Sequence, residues 1–563
     1  MQMLSLANKV LRHELWISVA IVIAFLKLAI TSQALSLTTT LAGEVVPQWT
    51  YPLPSKSCPW STADRDCHYD SPAIADLNRD GRLEVVVATN NGHVVALDHA
   101  GNRLWDVDVA PYFGMASNTE EIGSSPAVDD LDGDGWPEVV VGVGSIYPTV
   151  CTQGGVIVLQ HDGSLRPGWP QLADDWIPPS GCRDTIFSTP ALGDLDNDGR
   201  KEIVAGGFDM RIYAWDANGR LLPGFPPDSF HASRFPYEPE LRGRLADTIW
   251  SSPALADLNR DGFLEIILGT DEGNRPPGWS CPYRLPSGWR PGYCGGSLYV
   301  LDRFGRLLPG FPKYILESIG SSPAVVDLDE DGWLDIVVGT GRFYFDFSPD
   351  HPTDGFRVYA WDHWGHDLRG WEGGKAVGGP TPASPSVGDL DGDGKLEVVI
   401  ATYNERQLYA FRANGQLMPG FPMAPTTERG ERLASFDVPA SFVLADYDGD
   451  GRTLEIFLSE GWTVAVISHN GRQLTATSYP SNQPIYMTSG SLINNPVVAD
   501  LDGDGSLELI SSNSKVFVWN LPRSGNSKVD WPMFRRNPPR LGAIGNPPPL
   551  QLQHRSYIPM AIR

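Results

Sequence analysis

Apolar residues along the chain come in short runs, cut by glycine, proline, asparagine and aspartate. Beyond the N-terminal stretch no segment carries the helical period, so the runs read as strands. Val85 to Ala88 and Ile266 to Gly269 are two of them. Others pair around a tight reversal, as in Leu298 to Pro312, Ile212 to Pro226 and Leu408 to Pro422. Asn218-Gly219 and Asn414-Gly415 tolerate the positive φ that such a reversal requires, which predicts hairpins. Trp215, Trp361 and Trp519 lie in hairpin strands and are expected in the core.

The pattern also repeats. The phrase Ser-Pro-Ala-hydrophobic-x-Asp-Leu-Asp-x-Asp-Gly-x-x-Glu recurs with leading aspartates Asp76, Asp130, Asp194, Asp257, Asp327, Asp389, Asp446 and Asp500. Its spacing runs from 54 residues between Asp76 and Asp130 to 70 between Asp257 and Asp327, and the variation falls between apolar runs. Each unit supplies one strand before the acidic phrase, one after it and two in the hairpin. Four short strands at this period predict the blades of a β-propeller, in which each small sheet buries its faces against its neighbours. The expected fold is therefore all-β with eight blades, the alternative being seven blades and one degenerate unit. Val46 to Pro52 precedes the first unit and is expected to complete the last blade, whose fourth strand after Trp519 is poorly defined. The expected boundaries are a signal peptide over 1–34, the propeller over 46–537 and a Pro-rich tail over 538–563.

The acidic phrase has its own chemistry. Within Asp130-Leu-Asp132-Gly-Asp134-Gly135-Trp-Pro-Glu138, carboxylates stand at positions 1, 3, 5 and 9 and glycine at 6. A hard cation wants six to eight oxygen ligands, and alternating acids on a curling loop supply them. The same positions are filled by Asp76, Asn78, Asp80 and Glu84; Asp194, Asp196, Asp198 and Glu202; Asp257, Asn259, Asp261 and Glu265. They recur as Asp327, Asp329, Asp331 and Asp335; Asp389, Asp391, Asp393 and Glu397; and Asp500, Asp502, Asp504 and Glu508. The seventh unit offers Asp446, Asp448 and Asp450, but an extra residue delays Glu455, which is expected to fall out of reach. Without a cation, carboxylates packed in one loop repel one another and raise their own pKa values. The expected ion is calcium, in a structural role.

These stretches resemble the calcium loops of FG-GAP/VCBS repeats, the units of the integrin α-chain propeller, and the resemblance covers roughly residues 70–520. It implies a binding or adhesion scaffold for an extracellular protein or glycan. Similar propellers also occur in rhamnogalacturonan lyases, for which His231, Arg234 and His351 are candidates, although no acid–base pair has diagnostic spacing. A quinoprotein-like propeller is suggested faintly by Ala96 to Trp105, and the acidic loops argue against it.

Charge narrows the partners. The net charge of −25 across 563 residues excludes a nucleic-acid partner, because no Lys/Arg run offsets it. Lys9, Arg12 and His13 precede an apolar stretch from Leu15 to Leu26, and Ser32-Gln33-Ala34 offers a cleavage site, as in a secretory signal. A membrane partner is expected only if that segment stays uncleaved. Six cysteines fall as sequence neighbours, Cys58 with Cys67, Cys151 with Cys182 and Cys281 with Cys294, which suits disulfides in a secreted or cell-surface protein. The tail end, Tyr557 to Arg563, resembles short ends of secreted bacterial proteins.

Strand alternation puts the acidic loops and hairpin turns on one face and the long insertions on the other. Those insertions are Gly144 to Gly154, Gln171 to Phe187, Pro227 to Trp250, Asp271 to Gly295, Gly341 to Gly355 and Trp371 to Ala383. They carry aromatic and arginine residues such as Trp176, Arg183, Tyr237, Trp279, Trp289 and Tyr344, the types that dominate binding hot spots, and this face is expected to meet the ligand.

Overall fold

The computed structural model describes residues 43–55, 70–145, 151, 153–175, 182–225, 249–270, 296–315, 317–341, 356–402, 407–426, 441–478, 481–488, 492, 494–522, 528–537 and 542. Among them the strands form eight antiparallel sheets, so the chain is an eight-bladed β-propeller. Blade 1 is typical, with Ala73–Ala75, Glu84–Ala88, His93–Leu97 and Arg103–Asp108 in order from the axis outward. Among the described residues blades 3 and 6 show three strands, with isolated bridges such as Trp215 to Leu221 and Phe411 to Leu417 beyond the third. A 3-10 turn over Ala110–Phe113 interrupts the β pattern. Among the described residues no helix is long and apolar enough to cross a membrane.

The apolar runs are unbroken because both faces of each sheet are buried. In Glu84–Ala88, Val85 and Val87 pack against Val497, Ile510 and Val518 of blade 8. Val86 and Ala88, one residue out of phase, pack against Val139, Val141 and Ile157 of blade 2. The core is therefore a set of walls between neighbouring blades, the arrangement expected when a strand's side chains alternate between two covered faces. Trp215, Trp361 and Trp519 stand in these walls, each at most 2% exposed.

Ring closure comes from the N-terminal side. Trp49–Pro52 pairs antiparallel with Lys515–Asn520 as the outermost strand of blade 8, in the register Trp49 to Val518. This removes the open edge. Trp49 then donates its indole N–H to the carbonyl of His99, 2.9 Å away in the hairpin turn of blade 1. Its ring lies so close to Gly101 (φ +81°) that a Cβ there would sit 2.7 Å from it, so both the turn and the contact require glycine. Blade 1 repeats the device, since the Trp105 N–H reaches the carbonyl of His161 in blade 2 at 2.9 Å.

Two hydroxyl residues in the phrase Ser-Ser/Thr-Pro-Ala divide the work at the start of the inner strands of blades 2 to 5. The first bonds its own blade: Ser124, Ser188 and Ser321 Oγ accept the N–H groups of Gly142, Gly206 and Gly339 at 2.7 to 3.0 Å. The second bonds the next blade. Ser71, Ser125, Thr189, Ser252 and Ser322 donate their N–H groups to the hydroxyls of Ser125, Thr189, Ser252, Ser322 and Ser384, at 2.8 to 3.0 Å. Asn495 N–H reaches Ser71 Oγ at 3.0 Å and links blade 8 back to blade 1. A neutral cord of hydroxyls thus runs from blade 8 through blade 1 to blade 6, at the end of the ring opposite the acidic loops.

The segment after blade 8 returns to the axis. Val529–Trp531 pairs with the innermost strand of blade 7, Val443–Ala445, as a fifth strand inside the ring. Pro532 accepts the Val498 N–H of blade 8 at 2.9 Å. Arg535, 1% exposed, crosses to blade 4, where its guanidinium donates to the carbonyls of Ser252 and Pro253. Gly542 accepts the Val325 N–H of blade 5 at 2.9 Å. One short segment therefore ties four blades together across the centre.

Candidate cation loops at one end of the ring

Each acidic loop joins the first and second strands of its blade, and the acid at position 9 organises it. In blade 3, Glu202 opens the second strand, and its Oε2 accepts the Leu195 N–H at 2.7 Å. The equivalent bond recurs in all eight loops at 2.7 to 2.9 Å, made by Glu84, Glu138, Glu265, Asp335, Glu397, Glu455 and Glu508. Position 1 fastens the turn: Asp194 Oδ2 accepts the Gly199 N–H at 3.0 Å. Position 3 fastens position 5, as Asp196 Oδ1 accepts the Asp198 N–H at 3.2 Å. One oxygen of Glu202 and one of Asp196 are thereby committed to shaping the loop, and Oε1 and Oδ2 are left for another partner.

The remaining oxygens converge. In the groups Asp130/Asp132/Glu138, Asp194/Asp196/Glu202, Asp327/Asp329/Asp335, Asp389/Asp391/Glu397 and Asp446/Asp448/Glu455, one ligand atom per residue lies within 4.8 Å of the others. Oxygens bound to one ion at 2.3 to 2.6 Å sit at such separations, so an all-oxygen set of this size fits a hard divalent cation. The electrostatics point the same way. Burial first, with the neighbouring aspartates adding to it, pushes Glu202, Glu265, Glu455 and Glu508 up to about 8. Asp335 is likewise raised to about 8, and Glu84, Glu138 and Glu397 to about 7. Asp257 Oδ1 is buried without a hydrogen-bond partner. Burial therefore disfavours the charged form of these acids unless a positive charge lies beside them.

Glu455 corrects the sequence reading. The extra residue predicts that it falls out of reach, yet Glu455 joins Asp446 and Asp448 as its counterparts do. The surplus is taken up at Thr453, whose N–H and hydroxyl both bond Asp450, at 2.9 and 3.0 Å. In loops 1 and 4 the position-3 amides of Asn78 and Asn259 donate to Glu84 and Glu265 Oε1 at 3.0 and 2.8 Å. An ion there requires each amide to turn its oxygen inward.

Acidic loops and hairpin turns share a face, as expected. Trp136 of loop 2 stacks on His161 of the blade 2 turn with centroids 4.2 Å apart, and Trp333 of loop 5 stacks on His363 at 4.1 Å. Arg79 of loop 1 lies over Trp136 and Arg260 of loop 4 over Trp333, so neighbouring loops are clasped in pairs. Backbone bonds join other loops around the ring: Leu83 N–H to Leu501 O at 3.0 Å, Lys201 to Leu131 at 2.9 Å and Leu454 to Leu390 at 3.0 Å.

On the opposite face, Cys151 and Cys182 form a disulfide with a Cα separation of 5.3 Å, tying two insertions together. Arg183 beside it pairs with Asp174 at 3.7 Å. Phe187, Phe208 and Trp250 form an aromatic cluster, with centroids 4.7 to 6.0 Å apart, that the sequence pattern does not single out. Trp176, Tyr237, Trp279, Trp289, Tyr344, His231, Arg234, His351 and the other four cysteines lie outside the described residues.

An all-β ring with one acidic loop per blade defines a repeat propeller. The FG-GAP-like repeat family matches residues 76–141, 130–205, 194–268 and 389–458, and the FG-GAP repeat family matches 319–361. The chain belongs to the FG-GAP repeat proteins. It is similar to cartilage acidic protein 1 of Mus musculus, 23% identical over 406 residues, covering 61% of this chain and 59% of the mouse protein. The Homo sapiens protein of that name is 22% identical over 410 residues, covering 61% and 58%. The chain thus spans about three fifths of the length of these relatives. Among solved structures, the biofilm matrix protein Bap1 of V. cholerae aligns with a TM-score of 0.49 at 15% identity, over 86% of this chain and 92% of that one. BamB from Moraxella catarrhalis aligns at 0.43 and 12%, over 85% and 100%.

Proposed function

We infer that this chain is a calcium-braced binding scaffold of the cell exterior, whose acidic end takes the ions and whose opposite end meets a protein or glycan. The observation that carries the reading is the convergence of three carboxylates in one blade after another, with the buried one driven up to about 7 to 8. Asp194, Asp196 and Glu202 exemplify the ligand set: oxygens alone, one of them fixed by a backbone N–H. Calcium supplies positive charge there, in a structural role. The Cys151–Cys182 disulfide suits an oxidising compartment. The ligand end carries the insertions and the Phe187/Phe208/Trp250 cluster, and aromatic side chains favour binding.

The test is a glycan array and a cell-surface binding assay on the purified chain, with calcium and with EGTA. Calcium-dependent binding that Trp250→Ala reduces is the expected result. Release of unsaturated products from pectin or rhamnogalacturonan would overturn the scaffold reading in favour of a lyase.

A further inference from the structure

The eight loops do not have the same electrostatic surroundings. In loop 2 the guanidinium of Arg166 donates from Nη1 to Glu138 Oε1 and from Nη2 to Asp132 Oδ2, both at 2.6 Å, and from Nε to the Ala217 carbonyl at 2.8 Å. In loop 6, Arg412 places Nη2 2.7 Å from Asp391 Oδ2, with Nη1 3.4 Å from Asp393 Oδ2 and 3.6 Å from Glu397 Oε1. Lys528, from the segment that returns to the axis, adds a contact to Asp389 at 3.2 Å. Among the described residues no lysine or arginine pairs with the carboxylates of loops 3 or 8.

The oxygens taken are the ones an ion needs. Glu138 Oε2 and Glu397 Oε2 already accept the Leu131 and Leu390 N–H groups, so only Oε1 remains on each. Asp132 Oδ1 already accepts the Asp134 N–H, so only Oδ2 remains. In loop 2 the guanidinium bonds the Oε1 of position 9 and the Oδ2 of position 3; in loop 6 it bonds the Oδ2 of position 3 and stands 3.6 Å from the Oε1 of position 9, close enough to compete with an ion by charge. It arrives, moreover, from two unrelated places in the repeat. The Arg166 N–H bonds Val158 O, as Leu222, Leu308 and Met418 bond Ala214, Val300 and Ala410, so Arg166 stands where those blades have an apolar side chain. Arg412 ends the third strand, where Asp216 and Asp302 cap their own hairpin turns. Two independent substitutions with one electrostatic outcome point to a resident cation.

We propose that Arg166 and Arg412 take the place of calcium in loops 2 and 6, so that the ring binds fewer ions than it has acidic loops. This rests on the calcium reading of the other loops. A planar guanidinium with fixed donors suits two carboxylates at once, and its charge repels an ion at the same spot. Arg166 is 5% exposed and its guanidinium is held by three hydrogen bonds, so loop 2 stays closed to calcium. The Arg412 side chain is 32% exposed and can swing outward, so loop 6 fills only at calcium concentrations well above those that fill loops 3 and 8.

The experiment is calcium anomalous scattering from crystals of the chain, together with calcium counted per chain after equilibrium dialysis at stepped concentrations. Wild type is expected to show ions in loops 3 and 8 and none in loop 2, with loop 6 filling last. Arg412→Ser, which restores the turn residue of blade 7, is expected to gain one ion and to fill loop 6 with loops 3 and 8. Arg166→Leu is expected to gain one at loop 2. Ions in loop 2 of wild type, or an unchanged count in Arg412→Ser, would overturn the proposal and leave the calcium reading standing. No calcium in any loop would overturn both.

Discussion

The two ends of the ring solve one problem with different chemistry. At both, neighbouring blades must be held side by side where the apolar walls run out. At one end Ser71, Ser125, Thr189, Ser252, Ser322 and Ser384 link blade to blade through hydroxyls that accept N–H bonds. That cord, from blade 8 through blade 1 to blade 6, needs nothing from solution, because each hydrogen bond joins two neutral groups. At the other end the loops are also linked, through Leu83 to Leu501 and Lys201 to Leu131, but their centres hold converging carboxylates. On the proposed reading that end is finished by a cation, supplied from solution or, in loops 2 and 6, by arginine. On that reading one ring carries an end linked by neutral hydrogen bonds and an end that responds to calcium.

The largest expected effect separates the two ends directly. At millimolar calcium and dissociation constants near 10⁻⁴ M, each filled loop adds about 1.4 kcal/mol. Summed over the loops, at the unfolding entropy of a domain this size, EGTA should lower Tm by about 10 °C, as read by calorimetry. An unchanged Tm would erase the distinction.

The next effect is on pH, and its sign reverses with calcium. In the unfolded chain the position-9 glutamates lose their protons near 4.5, whereas in the metal-free fold Glu202, Glu265, Glu455 and Glu508 keep theirs to about 8. The metal-free fold therefore binds more protons across that window and loses stability as pH rises from about 5 to about 8. Thermal melts in EGTA should fall by several degrees over this range. With calcium, which requires the ionised form, stability should instead hold or rise.

Ser252→Ala addresses the other end. It removes the acceptor for the Thr189 N–H, a buried bond of 2.9 Å, and should cost about 1 to 3 kcal/mol, equally with calcium and with EGTA. Glu202→Gln is its counterpart and the smallest effect. The amide oxygen can still accept the Leu195 N–H, so the loss should be about 1 kcal/mol in calcium and absent in EGTA. If the two variants showed the same calcium dependence, the two ends would be energetically one.

Much of the acidic end is legible in the residues themselves. Asp130, Asp132, Asp134 and Glu138 stand at fixed offsets, and Gly135 has the positive φ (+84°) that its position in the turn implies. Val46 to Pro52 reads as the strand that closes the last blade, and Trp49–Pro52 does so. The phrase Ser-Pro-Ala is equally plain in the chain, but what its serine holds is not, because the partner lies a whole repeat away, as Thr189 does from Ser125. Glu455 misleads because register counted along the chain puts it one residue late, while the loop absorbs that residue at Thr453 without moving the acid.

The residues alone account for what repeats locally: strands from unbroken apolar runs, turns from glycine and asparagine, and loops from acids spaced two apart. Which distant groups meet is settled only when the ring closes. Arg166 looks like a stray charge at a leucine position until the fold lays it against Asp132 and Glu138, and nothing near Arg535 in the chain announces that it reaches Ser252 across the axis. The physical reason is that local conformation depends on the backbone preferences of neighbouring residues. The pairing of a buried charge depends on which residues the closed ring brings within hydrogen-bond reach, and no short stretch of chain encodes that.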